Sequence, residues 1–338
     1  MRSLVTALAL LCTVPALAQP AVPADTPRRP VATYSIVARD AATGQLGVAV
    51  QSHWFSVGSI VPWAEAGVGA VATQSFVEPA YGPLGLELMR MGRSAQQALD
   101  ALTSTDEGEA VRQVAFVDAD GNVAVHTGSN AIAAAGHRTG DGYSVQANMM
   151  ENATVWDAMA EAYERSEGDL AERLLAALEA AQAEGGDIRG KQSAALVVVR
   201  AESTGKPWLD RVFDLRIEDH PEPIAELRRL VGLQRAYQHL NAGDEHVTQG
   251  DIEAAMASYA AAMELVRDET TNGEAPFWVG ITLASIGRVE EALPYLARAY
   301  AQDVRWAELV ARLPAAGLLP DDAGLLQRLV VRMKAPEE

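Results

Sequence analysis

Residues 33–217 alternate strand hairpins with pairs of helices, and this order restricts the fold more than any other feature of the chain. The first hairpin spans residues 33–52. Residues 34–38 are rich in β-branched and small side chains, residues 46–50 alternate large with small, and Asp40-Ala-Ala-Thr-Gly44 offers an acceptor side chain and a residue free to take positive φ. A glycine-broken strand at 67–74 follows, then helical spacing over 84–93 and 94–102, with Ser94 as the N-cap of the second helix. A second hairpin at 114–126 turns at Asp118-Ala-Asp-Gly-Asn122. Residues 142–148 read as a short strand and 154–165 and 169–184 as helices, the latter opening on an Asp169 cap and stopping at Gly185-Gly186. Residues 194–200 are a nearly all-apolar strand, and 209–217 a last one. Helices that come in pairs argue against a doubly wound parallel sheet. Two antiparallel sheets between helix layers accommodate the order, an α+β class with αββα layering.

The ends of the chain read differently. Arg2, the apolar run 4–14 and Ala16-Leu17-Ala18 have the form of a signal peptide over residues 1–18, so the expectation is an exported, periplasmic or secreted protein. The one cysteine, Cys12, lies in that leader, preceded by Leu10 and Leu11 where a lipoprotein signal wants small residues. Residues 19–31 carry Pro20, Pro23, Pro27 and Pro30 and read as an extended linker. A formal charge of −18 repels phosphate backbones and anionic membrane surfaces, and no downstream segment has the length of a membrane span. Neither nucleic acid nor a membrane is expected as a partner.

After Pro221-Glu-Pro223 the composition shifts to helix formers, which divides the chain into a first domain over 32–220 and a helical one over 221–338. The helical part repeats itself. Gly250-Asp-Ile-Glu-Ala-Ala255 with Tyr259 and Ala262 matches Gly287-Arg-Val-Glu-Glu-Ala292 with Leu296 and Ala299, while Gly243 and Gly280 each stand seven residues upstream of the second glycine. The pattern resembles tetratricopeptide repeats, in which small residues let paired helices pack closely. Two repeats alone seldom make a stable solenoid, so this part should pack on the first domain, on further helices such as 322–333, or on a second copy of the chain.

Six stretches resemble, together and in order, an uncharacterised bacterial domain family with the N-terminal-nucleophile (Ntn) hydrolase fold. They are Thr33-Tyr-Ser-Ile-Val-Ala-Arg-Asp40, Gly47-Val-Ala-Val50, Gly67-Val-Gly-Ala-Val-Ala-Thr-Gln74, Ala80-Tyr-Gly-Pro83, Gln146-Ala-Asn-Met149 and Gly185-Gly-Asp-Ile-Arg-Gly-Lys-Gln-Ser-Ala194. The resemblance covers roughly residues 32–217 and implies a four-layer αββα sandwich. In enzymes of that fold the first residue of the processed chain is the nucleophile and its free α-amine takes the proton. Thr33 is the matching position, which requires a cut between Ala32 and Thr33. By the same resemblance its partners are Ser52, His53, Gln74, Asn148, Asp187, Arg189, Gln192 and Ser193, which would orient the amine or line an oxyanion site. These residue types also cap helices and satisfy backbone groups, so both roles stay open.

Other chemistries lack their motifs. There is no Gly-x-Ser-x-Gly elbow, phosphate loop or dinucleotide fingerprint, and His53, His126 and His137 are scattered without metal-ligand spacing, so no cofactor or metal is expected. The six tryptophans, Trp208 among them, read as core or interface residues, with Trp54-Phe55 set apart as a pocket wall. Two readings follow: an exported hydrolase of a small amide or peptide, or a catalytically silent module whose repeat helices hold a peptide or protein, in either case with homo-oligomerisation open.

Overall fold

Asp40 closes the first hairpin with its own atoms. Its Oδ2 accepts from the Thr43 backbone N–H at 3.2 Å, its carbonyl accepts from the Gly44 N–H at 2.8 Å, and Gly44 takes φ 72°. The hairpin joins β1 (Thr33–Arg39) to β2 (Leu46–Ser52) in a computed structural model that describes residues 30–335. The leader read over 1–18 and the linker up to residue 29 lie outside the described residues. β3 (Pro62–Glu65), β4 (Gly69–Ser75), α1 (Tyr81–Arg90), α2 (Ala95–Thr103), β5 (Arg112–Asp118), β6 (Val123–Thr127), β7 (Gly136–Gly140) and β8 (Tyr143–Asn148) come next. α3 (Val155–Arg165), α4 (Leu170–Ala183), β9 (Ser193–Val199), the short α5 (Pro207–Asp210) and β10 (Arg211–Ile217) complete this part.

Two antiparallel sheets result, one ordered β10-β9-β2-β1-β8-β7 and the other β3-β4-β5-β6. The two hairpins of the sequence therefore found different sheets. Because strand side chains alternate in direction, Tyr34, Ile36 and Ala38 join the core beneath α3 and α4, while Val37 joins Val48, Val50, Ala72 and Val117 between the sheets. On the other side Leu86, Met89, Ala98 and Leu99 of α1 and α2 cover Val71, Val114 and Phe116. The layers run helices, sheet, sheet, helices. Ser94 caps α2 in a full capping box with Gln97, and Asp169 accepts from the Glu172 N–H to cap α4. Asp118 serves both its own turn and, through Oδ2, the Ala95 N–H at the start of α2 at 2.9 Å.

β7 was not legible beforehand, since Gly-His-Arg-Thr-Gly shows no apolar alternation. As an edge strand it draws its order from pairing with β8. Trp208 is corrected: it stands 75% exposed on α5, outside any core.

Asp106 and Arg112 form a pair with side chains only 16% and 4% exposed. Burial alone would raise the Asp106 carboxyl, but hydrogen bonds from Arg112, the Gly108 N–H and Tyr81 outweigh it and hold the group below the usual carboxylate range. Asp106→Ala strands the Arg112 guanidinium and should cost about 3 kcal/mol by urea titration at pH 7. A carboxylate depressed in the folded state stabilises above its unfolded pKa and ceases to as pH falls through the folded one. The wild-type advantage over Asp106→Ala should therefore be full at neutral pH and shrink below about pH 4.

The remaining helices are α6 (Pro223–Gln249), α7 (Ile252–Leu265), α8 (Glu274–Ser285), α9 (Val289–Gln302), α10 (Trp306–Val310) and α11 (Ala323–Met333). α6 is shared between two cores. Ile224, Leu227 and Val231 pack beneath the first sheet, while Leu240 joins Tyr259, Phe277, Leu283 and Leu296 in a separate helical core. Arg228 and Arg235 of α6 also pair with Glu172, Glu179 and Asp169 at α4.

The internal repeat has a packing counterpart. A Cβ on Gly243 would lie 2.2 Å from the Tyr259 ring, and one on Gly280 would lie 2.7 Å from the Leu296 side chain. Each helix pair uses its glycine to admit a large residue at the same sequence distance. Gly232, on the same helix as Gly243, has nothing within 4 Å of its would-be Cβ. Helix propensity favours alanine at both sites by about 1 kcal/mol. Gly232→Ala should accordingly raise the midpoint of thermal unfolding, whereas Gly243→Ala should lower stability by about 1–3 kcal/mol, because overpacking against a buried ring outweighs propensity.

Candidate active site at the head of the first strand

Antiparallel register sets four polar residues side by side across four strands. Thr33 pairs with Asn148 of β8 on one side and with Ser52 of β2 on the other, and Ser52 pairs with Ser193 of β9. All four are fully buried. The row is continued by a polar network between the sheets. Gln74 Nε2 and Asn148 Nδ2 reach the Thr33 carbonyl at 3.3 and 3.4 Å and both donate to Gln113 Oε1, at 2.7 and 3.0 Å. Ser35 Oγ donates to Gln74 Oε1 at 2.6 Å and accepts from Gln146 Nε2 at 2.6 Å. The inter-sheet layer is thus apolar under β2 and β9 and amide-rich around β1, β8 and β5.

Upstream of Thr33 the chain continues into the protein. Val31 exchanges backbone hydrogen bonds with Ser75 at 2.6 and 3.1 Å, and Val31 and Ala32 are wholly buried. The Ala32 carbonyl accepts from the Ser52 hydroxyl and from Arg189 Nη2 at 3.1 Å. Arg189 also reaches the Pro30 carbonyl at 3.3 Å. Thr33 Oγ1 donates to the Val31 carbonyl at 2.8 Å. The peptide group joining Ala32 to Thr33 therefore has a hydroxyl beside it and a cationic donor on its oxygen.

Arg189 is fixed by Asp187, whose side chain is fully buried and accepts from Arg189 Nε at 3.1 Å, Arg189 Nη2 at 2.9 Å, the Arg189 N–H at 2.9 Å and the His53 N–H at 2.9 Å. Burial, then the Asp187 charge, pushes the Tyr34 phenol well above its ordinary value, so it stays a neutral donor to Gln182. Backbone strain gathers at the same place. Ser56, Ser75 and Met149 take φ of 57°, 71° and 57°, in the loop after β2, opposite Val31 and just past Asn148. Buried polar atoms without a hydrogen-bond partner among the described residues include His53 Nδ1, Ser75 Oγ, Asn148 Oδ1 and the Gln51 amide.

Residues 33–227 match the model of a family of unknown function, DUF1028. The chain belongs to that family. A crystal structure of a DUF1028 protein from Silicibacter pomeroyi is similar to it, with 33% identity and a TM-score of 0.53 over 59% of this chain and 88% of the other. No curated protein matches the sequence.

Within the DUF1028 domain, seven of the nine expected residues meet at one place: Thr33, Ser52, Gln74, Asn148, Asp187 and Arg189 around the first peptide groups of β1, and His53 through Asp187. Ser193 is in the row but turned to another task, donating to the Trp54 carbonyl and accepting from the Val57 N–H at 3.1 Å to anchor the loop after β2. Gln192 donates to Asp219 at 3.1 Å and meets the others only as a wall. That wall belongs to a cleft of about 700 Å³ lined by Pro30, His53, Trp54, Phe55, Met149, Arg189 and Gln192. Trp54 and Phe55 do border it, as their placement in the sequence suggested.

Ser35, Gln113 and Gln146 were missed. Ser35 and Gln146 each lie two residues from an expected site residue on the same strand face, a signal that period-2 reading could have used. Gln113 carries no local mark, because its role depends on the facing sheet.

Proposed function

We propose that residues 33–217 form an exported amide hydrolase of the Ntn type, with Thr33 as nucleophile once the bond to Ala32 is cut. The observation that carries this reading is the hydrogen bonding of the Ala32 carbonyl by Ser52 and Arg189, beside the Thr33 hydroxyl. Donors already aimed at a carbonyl oxygen are what an oxyanion needs as charge develops. The family match also starts at Thr33. The α–β–β–α layering supports this fold assignment, and the paired helices of residues 223–302, with their equivalent glycines, support tetratricopeptide-like repeats.

On this reading the Thr33 Oγ adds to the Ala32 carbonyl carbon and the C–N bond breaks, with the hydroxyl proton passing to the Thr33 nitrogen. The resulting ester is hydrolysed by water to an Ala32 carboxylate, a free Thr33 hydroxyl and a free amine. That amine, with an ordinary pKa of about 8, then serves as base toward an external amide or peptide held in the cleft at His53 and Phe55.

A second reading rests on the Val31–Ser75 pairing. A segment so integrated into the sheet suits an uncut chain, and hence a silent sandwich that carries a binding module. The intact mass of the protein recovered from its producing cell separates the two. A chain starting at Thr33 supports the hydrolase, and one retaining Ala32 overturns it.

A further inference from the structure

Between α6 and α8 lies a cavity of about 550 Å³, remote in sequence from Thr33. Its walls are apolar and aromatic, from Tyr237, Leu240, Trp278 and Ile281. Two carboxylates, Glu274 and Asp244, line it. Glu274 accepts from the Tyr237 hydroxyl and from Trp278 Nε1 at 3.4 Å, and Asp244 accepts from the Tyr259 hydroxyl at 2.6 Å. No lysine, arginine or histidine is among the residues lining the cavity. Burial, then the hydrogen bond to Glu274, pushes the Tyr237 phenol up to about 12, so it remains a donor and adds no competing charge.

Tyr237, which donates to Glu274, and Asp244 stand seven residues apart on α6, about 10 Å along its axis at 1.5 Å per residue. On α8 eight residues, about 12 Å of helix, separate Glu274 from Thr282, whose hydroxyl is 3.5 Å from the Tyr259 hydroxyl that donates to Asp244. Leu240, Trp278 and Ile281, which also line the cavity, offer an apolar floor for methylene groups.

We infer that this cavity binds a linear polyamine, with one terminal ammonium at Glu274, another at Asp244, and the alkyl stem along Leu240, Trp278 and Ile281. Two carboxylates in a cavity lined by no cationic side chain ask for two positive charges. A stem between them buries apolar surface that hydrated metal ions or single small cations would leave exposed. A ligand with a single ammonium satisfies half of the site.

Titration calorimetry of the full chain with spermidine at low salt tests this. Saturable one-to-one binding is expected, with butylamine at least about tenfold weaker, since a charged hydrogen bond is worth about 1.4 kcal/mol or more. Asp244→Asn and Glu274→Gln keep the oxygens that the tyrosine hydroxyls need, so both should fold with unchanged far-ultraviolet dichroism while each weakens spermidine by about tenfold. Glu264→Gln, an exposed acid on α7, should leave affinity unchanged. The inference is overturned if spermidine does not saturate, if the Asp244→Asn/Glu274→Gln double variant binds like wild type, or if Glu264→Gln weakens binding as much as the cavity variants. The last outcome would mean general attraction to a chain of net charge −18. A Lys-x-x-Lys peptide that binds more tightly than spermidine would also overturn it, reassigning the cavity to a basic peptide.

Discussion

Thr33→Ala is expected to leave the chain uncut between Ala32 and Thr33 while wild type is recovered starting at Thr33, a difference that intact-mass spectrometry reads as all or none. The reason is chemical and not structural. Among the described residues Thr33 Oγ1 makes one hydrogen bond, to the Val31 carbonyl, and its loss costs about 1 kcal/mol, too little to unfold a domain with three apolar cores. Removal of a nucleophile, by contrast, lowers such a reaction on the order of 10⁴-fold or more. Thr33→Ser should still cut, because it keeps the hydroxyl. An electrophilic amide probe should label wild type at Thr33 and leave Thr33→Ala unlabelled. Labelling of both to the same extent would remove Thr33 from the chemistry, whatever the mass shows.

Arg189→Met should show the second large effect, and it should appear in two readouts. Cleavage should slow by about 10²–10³-fold, because one of the two donors on the Ala32 carbonyl is lost. Stability should fall by about 3 kcal/mol in denaturant titration, since the Asp187 carboxylate, fully buried, is left with backbone donors alone. The two losses are separable. Asp187→Asn with Arg189→Met removes the stranded charge and should recover part of the stability, but not the rate. If the double variant regains both, Arg189 is a structural brace and the carbonyl contact is incidental.

Much of the local structure was written in short stretches of sequence. Asp40 and Gly44 fix a turn, Ser94 and Asp169 cap helices, and alternation from Leu46 to Val50 marks two faces, because each depends on atoms only a few residues apart. The repeat around Gly243 and Gly280 was equally plain, since helix pairing recurs at a fixed offset. The head of β1 as the candidate locus also came from the sequence, through resemblance. What only the tertiary structure decided is which polar residues share that locus. Register across β8, β1, β2 and β9 sets Asn148, Thr33, Ser52 and Ser193 in one row. The packing of the second sheet on the first then supplies Gln74 and Gln113 to the same row. No local pattern encodes these meetings, nor the rotation of Ser193 toward the Trp54 carbonyl. Strand register and face-to-face packing are settled by burial summed over whole sheets, so a polar side chain acquires its partner, and its role, only after the layers close.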